Sequence, residues 1–162
     1  MTSYRIALAA AAASMLCVGT VGAQSTASHN VSYSVSAINQ IAVTGAPSLS
    51  ITTATAGSAP ASVTDATSSW AITTNQTTKK LTASLNSDMP SGVTLEVSAA
   101  APSGATGAGY KTLSSASVDV VTGISQVAGS GLTLTYRLSA TLAAGAISSS
   151  SKTVTYTLVT GP

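Results

Sequence analysis

Leu132-Thr133-Leu134-Thr135-Tyr136-Arg137-Leu138-Ser139-Ala140-Thr141-Leu142 is the stretch that decides the fold. Its even-numbered residues are apolar and its odd-numbered residues are hydroxylic or charged, a period of two that puts one set on each face of a pleated strand. A helix would bring residues three and four apart together and mix the two sets. Residues 132–142 therefore read as one long, half-buried strand.

The same period continues on either side. Val31, Tyr33, Val35 and Ala37 alternate with Ser32, Ser34 and Ser36. Leu81, Ala83 and Leu85 keep it, as do Val93, Leu95 and Val97, with Glu96 on the outward parity. Near the end, Val154, Tyr156 and Leu158 alternate with Thr153, Thr155 and Thr157, and weaker strands fit 49–53, 70–74 and 118–121. Turn residues separate them: Gly45-Ala46-Pro47, Gly57-Ser58-Ala59-Pro60, Asp88-Met89-Pro90-Ser91-Gly92, the loop 102–109, and Gly129-Ser130-Gly131. The alanine-rich pieces 99–101 and 143–146 are short and lie beside Pro or Gly, so they read as loops. About eight or nine short strands with one apolar face each predict an all-β domain of two antiparallel sheets packed face to face. An immunoglobulin-like β-sandwich is the expected fold, with a small β-barrel as the alternative. Trp70, Tyr33, Tyr136 and Tyr156 fall on inward parities and are expected in the core.

The chain divides by composition into three parts. Residues 1–23 read as a secretory signal peptide: Arg5, an apolar run over 6–18, and the small-residue cleavage site Val21-Gly22-Ala23 before Gln24. That run is too short for the roughly 20 residues a membrane-spanning helix needs. Residues 24–30 are expected to be a flexible segment, and residues 31–162 a single domain. Cys17, the one cysteine, lies in the leader, and Leu16 before it departs from lipoprotein signals. No disulfide is expected in the mature chain, which should reside in the periplasm, at the cell surface or outside the cell.

Of the 162 residues 44% are hydrophobic and only 6% charged, with six basic and four acidic side chains. Six cations cannot form the basic stripe that phosphate-backbone binding needs, so nucleic acid is not an expected partner. The mean hydropathy of +0.41 sets the chain apart from disordered sequences, which combine low hydrophobicity with high net charge.

The same scarcity argues against an enzyme. His29 is the sole histidine and lies in a polar segment before the first strand, where no partners would hold its imidazole. Asp65, Asp88, Glu96 and Asp119 are dispersed, without calcium-loop spacing, and read as solvated turn and face residues. Ser149-Ser150-Ser151-Lys152 has the spacing of a serine–lysine nucleophile pair but precedes a strand instead of opening a helix. Gly104, Gly107 and Gly109 lack the strand and helix that frame a phosphate loop. Asn30-Val31-Ser32 and Asn75-Gln76-Thr77 match the glycosylation acceptor pattern, which matters only in a cell that glycosylates its exports. No catalytic residue, cofactor or metal is expected, and no fixed repeat aligns the threonines into an ice-binding array.

The outward faces are rows of Ser and Thr with little charge, and the strands near both ends lack the Lys or Pro that usually protects a sheet edge. Such strands suit association by strand addition, with Val31, Tyr33, Val35 and Ala37 as a candidate assembly strand and Val154, Tyr156 and Leu158 as a candidate edge strand. The more usual outcome is that a first strand pairs within its own domain.

In its leader, its compact all-β pattern, its alternating first strand and its closing Thr153-Val154-Thr155-Tyr156-Thr157-Leu158, the chain resembles small secreted immunoglobulin-like subunits of bacterial surface fibres, the pilins and the spore coat protein U type. Those families commonly carry a cysteine pair, which residues 24–162 lack. The resemblance implies a secreted structural protein, a fibre, pilus or matrix subunit, whose partners are itself or other surface proteins. The alternative is a monomeric binding module holding a glycan or a protein on the loops 102–110 and 122–131, with Tyr110 as a stacking residue.

Overall fold

The computed structural model describes Gly22 and residues 25–161. The leader expected over 1–23, apart from Gly22, therefore lies outside the described residues. The chain falls into two units, Met1–Ser34 and Val35–Pro162. In the first, the described residues are exposed and form no regular secondary structure.

The second unit is a β-sandwich. Its strands are β1 (Asn39–Thr44), β2 (Val63–Thr74), β3 (Lys79–Leu85), β4 (Val93–Ala99), β5 (Thr106–Gly107), β6 (Lys111–Thr112), β7 (Val118–Ile124), β8 (Val127–Ala140) and β9 (Val154–Thr160). One antiparallel sheet has the order β1-β2-β8-β4-β6 and the other β5-β7-β3-β9, and neither closes into a barrel. Apart from one 3-10 turn at Leu142–Ala144, the described residues contain no helix.

The alternation read from the sequence builds the core. Trp70 and Ile72 from β2, Leu134 and Tyr136 from β8, and Leu95 and Val97 from β4 face Leu81, Ala83 and Leu85 from β3 and Val120, Val121 and Ile124 from β7. Trp70 satisfies its indole by donating Nε1–H to the Ala100 carbonyl at 3.0 Å, so the largest side chain is buried without an orphaned donor. On the outer face Arg137 of β8 lies opposite Glu96 of β4, and Nε meets Oε2 at 2.7 Å.

Several expectations are corrected. Residues 31–37 form no strand: Val31, Tyr33 and Val35 are 71%, 93% and 81% exposed, so Tyr33 lies outside the core. No strand forms over 49–53 either, and the first strand is β1, which had not been anticipated. Gly129-Ser130-Gly131 is not a turn but part of β8. Here Trp70 pairs with Leu132 while Ile72 pairs with Gly129, so β8 carries one extra residue, and Gly131 takes φ 64°. This bulge moves the inward parity from Val127 and Gly129 to Leu132 and Leu134, keeping both halves of the strand on the core. The strand ends at Ala140, and Leu142 is exposed. Of the alanine-rich pieces read as loops, Ala99 closes β4 and is buried, and 142–144 make the 3-10 turn.

Candidate functional site

The four sheet ends differ in what they leave open. β5 and β6 have two residues each, too short to template a further strand. β1 and β9 have six and seven, with no Lys, Arg or Pro in either. Each lies at the end of its sheet, so one side of its backbone lacks a ladder partner within the described residues.

Between these two strands the sandwich is open to solvent. A cavity of about 400 Å³ is lined by Ile41 and Val43 of β1, Pro47, Tyr136 of β8, and Val154 and Tyr156 of β9. Two of these lining residues, Tyr136 and Tyr156, one from each sheet, have hydroxyls 2.8 Å apart. Burial pushes both phenols above their ordinary value, and at Tyr156 the hydrogen bond shared with Tyr136 adds to the effect. The Lys152 ammonium at the rim donates to Ser87 Oγ at 2.7 Å and to the Asp88 carbonyl at 2.8 Å. That contact ties down the segment before β9 and gives Lys152 a structural use.

The chain before β1 is fastened by the side chain of Asn75, the residue just after β2. Asn75 donates Nδ2–H to the Ser36 carbonyl at 2.8 Å, and its Oδ1 accepts the Ile38 N–H at 2.8 Å. The amide in the sequon 75–77 is thus engaged with the backbone. Val35 and Ala37 are exposed immediately before this anchor.

The other singled-out residues are not brought together. Tyr110 lies beside β6, 38% exposed, but the Arg137 guanidinium sits 4.1 Å from its ring centroid and covers one face. The second candidate ligand loop, 122–131, is corrected to a tight hairpin, because β7 runs to Ile124 and β8 starts at Val127. His29 is exposed and outside any strand. Asp65 accepts from Thr67 N and Oγ1 at 2.8 and 2.6 Å and from Ser48 N at 3.0 Å, bonds that hold its carboxyl below the usual value. Asp88 accepts from Ser115 N at 2.6 Å and is lowered in the same way. Asp119 meets Lys80 at 3.0 Å, and Glu96 meets Arg137. Among the described residues no three His, Cys, Asp or Glu groups gather as a metal site, and no helix is long and apolar enough to cross a membrane.

Sequence reasoning missed β1, the first half of β2 and the two-residue β5 and β6. Asn39-Gln40-Ile41-Ala42-Val43-Thr44 alternates weakly, but its odd-numbered Ile41 and Val43 were the available signal. Compared with family models, curated proteins and solved structures, the chain matches none.

Proposed function

We propose that this chain is a secreted structural subunit of a surface fibre, pilus or matrix, and that it assembles by strand addition. The observation that supports this reading is the exposure of Val31, Tyr33 and Val35 ahead of a sandwich with long, uncharged end strands. Three large apolar side chains at a spacing of two, held in water, cost hydrophobic free energy of roughly 1.5–3 kcal/mol each relative to a buried state. A segment with this pattern is suited to lie as a strand against another sheet, where its backbone completes a ladder and alternate side chains enter an apolar seam. The leader pattern in 1–23 supports export, and the absence of cysteine from 24–162 suits an oxidising compartment.

The alternative of a monomeric binding module is less well supported, since Arg137 occupies a face of Tyr110 that a sugar ring would need. Electron microscopy and mass analysis of the chain expressed from Gln24 test the proposal. Filaments or stable oligomers are expected, and loss of both on deleting residues 24–38. A monodisperse monomer at all concentrations would overturn the reading.

A further inference from the structure

We infer that the cavity between β1 and β9 binds a small monocarboxylic acid with an elongated apolar body, its carboxylate at Lys152 and its far end at the Tyr136–Tyr156 hydroxyl pair. The inference stands apart from the assembly reading and uses residues of the second unit alone.

The cavity carries its chemistry in order along one strand. Thr153 extends the pairing of β9 with β3 by one step, its carbonyl accepting from Asn86 N at 3.0 Å and its N–H donating to Asn86 Oδ1 at 3.1 Å. Lys152, Val154 and Tyr156 therefore share a parity; each is half-buried between exposed neighbours, and all three line the cavity. At about 3.3 Å per residue, the positions bearing the ammonium and the phenol stand roughly 13 Å apart along the chain. Val154 lies between them, and Ile41, Val43 and Pro47 supply further carbon. A cation at one end, carbon in the middle and hydroxyls at the other end are complementary to an elongated amphipathic molecule. The volume of about 400 Å³ fits a small one.

Lys152 sets the sign of the charge. The ion pairs among the described residues are Lys80–Asp119 and Arg137–Glu96, so no carboxylate touches the Lys152 ammonium. Asp88 offers it the backbone carbonyl, while its own carboxylate is turned to Ser115 N at 2.6 Å. An ammonium has three donors, and Ser87 Oγ and the Asp88 carbonyl take two of them. One N–H remains for a ligand. A single donor on a single cation matches a monoanion; a phosphate dianion would need more donors and would meet the Asp88 charge nearby.

The far end is set by the phenols. Their mutual bond uses one of two hydroxyl hydrogens, which leaves one hydrogen and free lone pairs. A ligand hydroxyl placed there gains a bond that a methyl end lacks.

The test titrates octanoate, octylamine, octanol and ω-hydroxyoctanoate into the chain expressed from Gln24 and reads affinity by calorimetry. Octanoate is expected to bind saturably and at least tenfold more tightly than octylamine. Lys152→Gln is expected to weaken octanoate at least tenfold and to leave octanol unchanged, whereas Lys152→Arg keeps most of the affinity. Lys111→Gln, on β6, is expected to change nothing. ω-Hydroxyoctanoate is expected to bind several-fold more tightly than octanoate, an advantage lost in the double variant Tyr136→Phe/Tyr156→Phe. Near-ultraviolet circular dichroism of each variant confirms an intact fold.

Absence of saturable binding at millimolar octanoate would overturn the site. Equal affinity for the acid and the amine, or a Lys152→Gln effect no larger than that of Lys111→Gln, would overturn the role of Lys152. A hydroxy acid with no advantage, or one whose advantage survives the double variant, would overturn the far-end contact.

Discussion

Gly45 ends β1 at the rim of the cavity with φ 101°, a backbone state that L side chains rarely adopt. A Cβ there would stand 2.7 Å from the Ser68 Cα and 3.0 Å from the Thr67 carbonyl oxygen, so the chain passes against β2 with no room for a methyl group. Gly45→Ala is therefore expected to destabilise the domain by about 1–3 kcal/mol, the range for forced overpacking, read from chemical denaturation. Ser68 beneath it is buried, and its hydroxyl has no hydrogen-bond partner among the described residues, which carries a desolvation cost.

At the scale of elements, the period of two was enough to place most of β3, β4, β7, β8 and β9, because each presents one face to the core. It misled where the phase of that period changes. In β8 the glycines at 129 and 131 looked like a turn, but they supply the bulge that lets the inward parity switch. In β2 the pairing slips between Asp65 and Ser68, and Asp65 accepting Thr67 N–H shapes the same kind of irregularity. A one-residue slip would otherwise turn the whole apolar set outward. Residues 31–37 mark the opposite limit: their alternation is as clear as that of β3, yet they form no strand and stay exposed, because a pattern reports which face is apolar and not whether anything covers it. The cavity between β1 and β9 was not legible, since it depends on which strands end each sheet. The anchor at Asn75 belongs to this scale as well. Asn75→Ala removes the bonds to Ser36 and Ile38, and the expected result is faster amide hydrogen exchange at Ile38, with global stability lowered by about 1 kcal/mol.

Across the whole molecule, pH stability is bounded by groups at opposite ends of the scale. Asp65 and Asp88 have carboxyls lowered from 3.8 by hydrogen bonds made only in the fold. Their contribution is complete above the ordinary carboxylate value and is lost as pH falls through the lowered folded value. Tyr136 and Tyr156 are raised above 10.0, so theirs is complete below pH 10 and is lost as pH climbs past it. Thermal melts from pH 2 to 12 are expected to fall off at both ends, below the carboxylate range and above 10; a flat alkaline limb would contradict the buried tyrosine pair. The order of the strands has one more consequence, in time instead of space. Among β1 to β4 only β1 and β2 are partners; β8 holds β2 to β4, and β3 waits for β7 and β9. A two-stranded ribbon is marginal alone, so the growing chain gains little from folding until its last strands exist. A polymer that stays extended until its synthesis is nearly finished can be threaded through a narrow channel without first being pulled apart.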